Sequence, residues 1–419
     1  MTSTHFEVIG DVPAKRLELE VGRLEQLYDV FAVFFRAEPR SGQRIRVAVM
    51  GETEPSEFVE GAGGFVTTNA LEPVVITGVG EDARFFVTNA HELVHLLSAY
   101  ALPVRPRWFS EGIAEFFEDA HFQPDGSIKM GTWRDVSVWT SVDDLLSWDS
   151  RPVKLADSGP LYATSRAVVF YLANRDEQRL ERLLEGMRAR RPIAELHAEL
   201  FPADERVALL ERVKAFVAEQ KFSAWKTRLL REPELSAPRR LEAWEVSLWR
   251  SQLFRATGRY DAARAALTQA KAQAPMPEPG ALLAERIELG ERVDAASTEP
   301  LVQLALAEAD DRSYAERLFA ARAATARLPL SALAFLRLAR AAQAVRHFDE
   351  ALVAARQASS LAPWSTDAIF EESRALAAMG RCQEATAAFS LAVGMIESPE
   401  SSWVTTQQRE LMQRCGQPP

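Results

Sequence analysis

Two histidines four residues apart flank a glutamate in His91-Glu92-Leu93-Val94-His95, and Trp108-Phe109-Ser110-Glu111-Gly112-Ile113-Ala114-Glu115 follows soon after with further carboxylates. On a helix, residues at i and i+4 lie one above the other on the same face, so both imidazoles can be aimed at one cation. Glu92 is rotated out of that pair to the edge of the site, where it is better placed as a base than as a ligand. A catalytic zinc commonly takes three protein ligands and leaves a position for water, whose pKa it lowers from about 15.7 to about 7. Glu111 can be the third ligand if the first helix ends near Pro103 and a second begins after Pro106 and runs back across it, which the 15 intervening residues allow. Glu115, one turn further on, points the same way and could accept the free ring N–H of a ligand histidine, fixing its tautomer. The expected cofactor is a single Zn2+.

A surface helix with two histidines and a glutamate is an ordinary solvated face, so the flanks matter. Phe85-Phe86-Val87 before the motif and Leu93, Val94, Leu96 and Leu97 within and after it read as a mostly buried helix. Burying two imidazoles and a carboxylate without a shared partner is costly. The AHELVH and WFSEGIAEFF stretches together resemble the paired helices of the gluzincin metallopeptidases, most closely the peptidase MA-like group, in which a short spacer joins HExxH to a W-x-x-E-G-x-A helix. The resemblance spans residues 5–200 or so. It implies a zincin-type fold that hydrolyses peptide bonds, with His91, His95 and Glu111 as zinc ligands, Glu92 as general base and Glu115 as an outer partner. The spacer is shorter than in thermolysin-like enzymes, so the further substrate-binding residues of those enzymes do not carry over.

The elements that must position these groups begin upstream. Leu17, Leu24, Leu27, Val30, Phe31, Phe34 and Phe35 recur at helical spacing and predict one amphipathic helix over 14–37. Ile45, Val47 and Val49 alternate with other residues, and Pro73-Val74-Val75-Ile76-Thr77 is a β-branched run, so both predict strands. Gly63-Gly64-Phe65-Val66 is a third strand candidate, with a glycine turn of a hairpin as the alternative. In the resembled fold an edge strand beside the zinc helix holds the substrate main chain extended, and that role is assigned to Gly64, Phe65, Val66 and Thr67.

Downstream, Pro124-Asp125-Gly126-Ser127 is turn chemistry, and a helical region is expected from there to about residue 230. Tyr162, at the start of an apolar helix after Gly159-Pro160, is the candidate for stabilising an oxyanion, against a plain structural tyrosine. His121 could serve instead. His5, His197 and His347 have no partner at ligand spacing and read as structural or exposed.

The C-terminal half is alanine- and arginine-rich, and small residues recur at a 34-residue period: Ala351 with Ala385, Ala354 with Ala388, Ala358 with Ala392. With an earlier unit from Trp244 to Pro275, these resemble degenerate tetratricopeptide repeats, whose stacks form concave protein-binding surfaces or simply buttress a neighbour. The predicted organisation is therefore α+β: an N-terminal α/β subdomain (1–86), the metal-motif helices and a helical subdomain (87–230), and an all-α helical-repeat domain (231–419).

Charge and hydropathy exclude some classes. The net charge of −10, with basic residues scattered, argues against nucleic acid or an anionic membrane as partner, whereas the two resemblances imply a peptide or protein substrate and a possible protein partner on the repeats. There is no run of about 18 apolar residues to span a bilayer. The N-terminus lacks the apolar core of a signal peptide, which read literally means cytoplasm. Cys382 and Cys415 sit where antiparallel helix ends could bring them together, and a disulfide there would favour a periplasmic or exported protein. The other function class is a catalytically weak or inactive metalloprotease-like scaffold whose repeats recruit partners.

Overall fold

The helical spacing over 14–37 is realised as a single helix in the computed structural model, which describes residues 1–36, 44–51, 55–59, 64–67, 73–78, 84–118, 121–122, 127–130, 138–150, 157–219, 225–228, 234–293, 297–395 and 402–416. After β1 (Phe6–Gly10), helix α1 (Ala14–Phe35) buries Leu17, Leu24, Leu27, Val30, Phe31, Phe34 and Phe35, and it ends where Arg36 turns into the left-handed region. Strands β2 (Ile45–Met50), β3 (Gly64–Val66) and β4 (Val74–Gly78) complete a four-stranded sheet of order β1-β2-β4-β3. The three longer strands are parallel, and β3 pairs antiparallel with β4 at the edge, Phe65 opposite Ile76.

Residue alternation in this sheet serves two cores. Val47, Val49 and Val75 face α1 and the helices that follow, whereas Ala48, Met50, Val74 and Ile76 belong to a second cluster on the opposite face. A strand covered on both sides reads as a near-continuous apolar run, as β4 does.

Helix α2 (Arg84–Ala101) carries the histidine motif, and α3 (Arg107–Glu118) carries the tryptophan–glutamate motif. Strands β5 (His121–Phe122) and β6 (Ser127–Met130) flank the expected turn, whose residues 124–126 lie outside the described ones. Helices α4 (Val142–Leu146), α5 (Gly159–Arg175), α6 (Glu177–Arg188), α7 (Ile193–Leu200) and α8 (Arg206–Glu219) follow. The region expected to be helical to residue 230 instead closes with β7 (Trp225–Arg228), which pairs antiparallel with β6 and makes a second, three-stranded sheet. Trp225-Lys226-Thr227-Arg228 alternates large and polar residues, a signal too short to stand out against long helices on either side.

The C-terminal half is helical: α9 (Ala243–Ala256), α10 (Tyr260–Gln273), α11 (Gly280–Glu288), α12 (Pro300–Leu306), α13 (Tyr314–Arg327), α14 (Ala332–Ala344), α15 (Phe348–Leu361), α16 (Thr366–Ala378), α17 (Cys382–Gly394) and α18 (Ser402–Arg414). The 34-residue period reappears in the helix starts, since α16 begins 34 residues after α14 and α17 begins 34 after α15. Ala351, Ala354, Ala358, Ala385 and Ala392 are buried, as small residues must be where helices approach closely. Between the regular pairs, α11 and α12 are short and irregular. Cys382 and Cys415 form a disulfide with Cα atoms 5.7 Å apart, fastening the end of α18 to the start of α17. The whole is a mixed α/β chain, mostly helical with a small four-stranded sheet.

Among the described residues, Thr2 hydrogen-bonds Ser236, and two larger contacts tie the array to the rest. Leu248, Leu253 and Phe254 of α9 and Leu267 of α10 share one core with Met50, Phe58, Val74 and Ile76, covering the outer face of the sheet, and the rings of Phe58 and Phe254 are 4.8 Å apart. Arg46 reaches Gln252, and Glu57 receives hydrogen bonds from Arg250 and, at its carbonyl, Arg259. The second contact is Tyr100, near the end of α2, packed edge-on against Trp364 at 4.3 Å. Among the described residues no helix is long and apolar enough to cross a membrane.

Candidate metal centre

Helix α2 is held by its apolar side: Ala90, Leu93, Val94, Leu96 and Leu97 are fully buried, while the side chains of Phe85, Phe86 and Val87 lie outside the described residues. The helix ends at Ala101, and Pro103 follows. Helix α3 starts after Pro106, and the Asp149 carboxylate caps it by accepting the Arg107 backbone N–H at 2.9 and 3.2 Å. Trp108, Phe109, Ile113, Ala114, Phe116 and Phe117 bury its other side. His95 meets Ser110 while His91, one turn earlier, meets Glu118 near the far end of α3, so the two helices pass in opposite directions.

This crossing brings His91, His95 and Glu111 together. Nε2 of His91 and of His95 are 2.9 Å apart, Glu111 Oε2 is 3.5 and 3.4 Å from them, and one ligand atom from each residue falls within 4.8 Å of the other two. All three side chains are only 14–16% exposed, enclosed enough to exclude most solvent but open to one side. Tetrahedral zinc with bonds of about 2.0–2.1 Å separates its ligand atoms by roughly 3.3 Å. The glutamate-to-histidine distances already match that, and the two imidazoles need to part by only about 0.4 Å. The donor set of two imidazoles and one carboxylate also suits zinc. His91, Glu115 and Glu118 form a second close group, but with a single imidazole and with His91 Nδ1 already hydrogen-bonded to Glu118 at 2.8 Å.

The partner of the His91 ring N–H is thus Glu118, one turn beyond Glu115, where the sequence analysis placed the interaction on Glu115. Seven residues after Glu111 is two helical turns, so Glu118 lies on the same face; its spacing was a readable signal. Glu115 stays within 4.8 Å of His91 and Glu118 and also lies 4.0 Å from Arg166. His95 Nδ1 is met by the Ser110 hydroxyl at 3.1 Å, and Arg105 approaches that same hydroxyl at 3.4 Å.

Gly112 follows Glu111 because nothing larger fits. A Cβ there would lie 2.7 Å from the Ser165 carbonyl oxygen and 2.8 Å from a Val169 methyl, so α3 and α5 touch backbone to backbone. That contact sets how far Glu111 reaches towards α2.

The charges of the metal-free site are strongly coupled. Burial pulls the His91 imidazolium down, but hydrogen bonds to Glu111 and Glu118 and the charge of Glu92 outweigh it and raise its pKa to about 10. His95 is lowered, chiefly by burial, with the His91 charge adding to it. Burial would raise Glu111, yet both histidines hold it down to about 2. Glu92 is raised to about 7, mainly by burial, with His91 opposing and Glu111 reinforcing, and the Val66 backbone hydrogen-bonds to it.

The edge strand therefore reaches the site. Gly64, Phe65 and Val66 form β3, Thr67 continues it by donating to the Val74 carbonyl at 3.1 Å, and Thr68 lies outside the described residues. Tyr162 opens α5 at the rim. Its pKa is raised, chiefly by burial and then by the charge of Glu111, and it is hydrogen-bonded to Arg107. Arg107 was not foreseen; it stacks over Trp148 at 4.8 Å and lies 4.0 Å from Glu111, so it adds a cation beside the third ligand. His121 starts β5, and its side chain lies outside the described residues.

The remaining histidines are structural or exposed, as their isolation in sequence suggested. His5 stacks on Tyr28 and bonds Glu25, and His347 is exposed beside Glu350. His197 accepts a hydrogen bond from the Trp108 indole at 3.2 Å, three residues before Glu111. Burial, then the charge of Arg206, lowers its pKa to about 4. The neutral form is thus favoured in the folded state, so the stabilisation is complete above the unfolded value near 6.5 and is lost as pH falls through 6.5 towards 4. A shift of this size corresponds to about 3 kcal/mol. Urea titrations of the metal-free protein between pH 7 and pH 4 should show that loss in the native chain, and His197→Gln should flatten it; equal slopes in the two proteins would refute the assignment.

No protein family, curated protein or solved structure matches the chain.

Proposed function

We propose that this chain is a zinc-dependent peptidase of the gluzincin kind, its domain a zincin-type unit and its helical array a support and a protein-binding surface. The observation that carries the reading is the convergence of two imidazole nitrogens and one carboxylate oxygen within 4.8 Å of one another, beside a buried carboxylate that is not needed as a ligand. His91, His95 and Glu111 would hold the ion; Glu118 and Ser110 orient the two rings from behind. Zinc bound there supplies Lewis acidity, lowering the pKa of water and polarising a carbonyl.

The chain's own groups do the rest. Glu92 takes a proton from the attacking water and returns it to the leaving amine, and its pKa near neutrality suits both directions. The open edge of β3 offers main-chain donors and acceptors to an extended peptide, a mode of binding tolerant of side-chain identity. Tyr162 and Arg107, hydrogen-bonded to each other at the rim, are placed to donate to an oxygen that gains negative charge.

The purified protein should contain one equivalent of zinc by elemental analysis, and it should cleave members of a diverse peptide library read by mass spectrometry, with cleavage abolished by a chelator and restored by zinc. Protein that neither retains zinc nor cleaves any peptide sinks the reading. Stoichiometric zinc without hydrolysis would favour the scaffold alternative.

A further inference from the structure

The array contains a cleft whose charges are not balanced. A groove of about 530 Å³ is lined by Arg340, Arg346, Arg374 and Arg414 over an apolar floor that includes Phe348 and Ala377, and among the described residues no carboxylate lines it. It opens across Arg340 and Arg374 into a neighbouring groove of about 360 Å³, in which Glu308, Asp367 and Glu371 offset the arginines.

The four cations differ in how far they are satisfied. Arg340 is saturated, by Glu308 and Asp367 at 2.8 Å and Glu371 at 3.3 Å. Arg374 shares Glu371 through Nη1, at 3.2 and 3.3 Å, and its buried Nε has no hydrogen-bond partner. Arg346 and Arg414 are exposed, and among the described residues neither has an ion-pair or hydrogen-bond partner. The exposed guanidinium groups of Arg346 and Arg414 are therefore the ones open to an entering anion.

The backbone adds an independent observation. Arg346 has φ 65°, in the left-handed turn that the next repeat fills, 34 residues on, with Gly380 at φ 77°. A side chain there is held at a conformational cost that glycine avoids, and it is the side chain that reaches the groove. Arg414 is fixed from the other side, because it precedes Cys415 and the disulfide to Cys382 pins the end of α18.

We propose that this groove binds an extended acidic peptide segment. Guanidinium forks match carboxylates bidentately, so acidic side chains would engage Arg346, Arg374 and Arg414, while a small apolar residue between them rests on Phe348 and Ala377. The apolar floor and the net charge of −10 favour a peptide over the uniformly charged backbone of a nucleic acid. This names the chemistry of the array's partner and does not depend on the metal centre.

The test is fluorescence anisotropy of a labelled peptide of sequence Asp-Glu-Ala-Asp-Glu-Ala with the full-length chain carrying Glu92→Gln, so that the readout does not depend on hydrolysis. Saturable binding is expected, weakened by raising salt from about 50 to about 500 mM, and weakened roughly tenfold or more when every acid of the peptide is replaced by its amide. Arg346→Glu with Arg414→Glu should cost at least as much. Arg346→Gly, which relieves the left-handed turn and keeps the fold, should also weaken binding while leaving the thermal transition at or above that of the parent. Equal affinity for the amide peptide, unchanged affinity in these variants, tighter binding of a single-stranded oligonucleotide of equal charge, or no binding at about 1 mM peptide would each overturn the proposal.

Discussion

Glu92→Gln should lower peptide hydrolysis by roughly 10²- to 10⁴-fold while zinc content stays at one equivalent. Glutamine has nearly the shape of the carboxylate and can keep the contact with the Val66 backbone, so the packing around α2 is preserved. What it loses is the capacity to take a proton. The loss should fall on kcat, because the residue acts on the reacting water and not on the bound peptide. His91→Ala is the contrasting variant: only His95 and Glu111 remain to hold the ion, and Glu118 loses its imidazole partner. Zinc should then be absent after dialysis. Hydrolysis by Glu92→Gln within tenfold of the parent, or stoichiometric zinc in His91→Ala, would show that the assigned roles are wrong.

Phe254→Ala should destabilise the chain by about 3–5 kcal/mol. The ring is 6% exposed, packs against Phe58, and is flanked by the guanidinium groups of Arg250 and Arg259. Removing it opens a cavity at the junction of α9 with the outer face of the sheet, and Met50, Val74 and Ile76 lose part of their cover. Because the same core joins both halves, chemical denaturation of the parent should be a single transition, and the variant should unfold at lower denaturant with the array released first. A change below about 1 kcal/mol would mean that the junction contributes little.

The helices α2 and α3 were legible because their information is local. Histidines four apart, a nearby glutamate and apolar flanks depend only on helical periodicity, and α2 and α3 form where that periodicity places them. The alternation in Ile45-Arg46-Val47-Ala48-Val49 likewise announced β2, but not that Ala48 and Met50 would be buried by a helix two hundred residues later. The pairing of β7 with β6 has the same character: four residues whose partner lies far away in sequence. In the site, Glu118 and Glu115 stand on similar faces of one helix, and only the crossing angle of α2 and α3 decides which meets His91. The close approach of α3 to α5 at Gly112 is likewise a contact that no spacing argument reveals. Arg107 was passed over because an arginine at a helix start has a generic reading as a solvated charge.

The ring pair of Tyr100 and Trp364 has a mechanical implication. The array grips the N-terminal body at two separated places, one on the sheet through Phe254 and one at the tail of the helix that bears the imidazoles. Parting the array from the N-terminal body would have to break both grips together, whereas a single grip would leave a pivot. Displacement of the array would therefore be felt both at the outer face of the sheet and at the tail of α2.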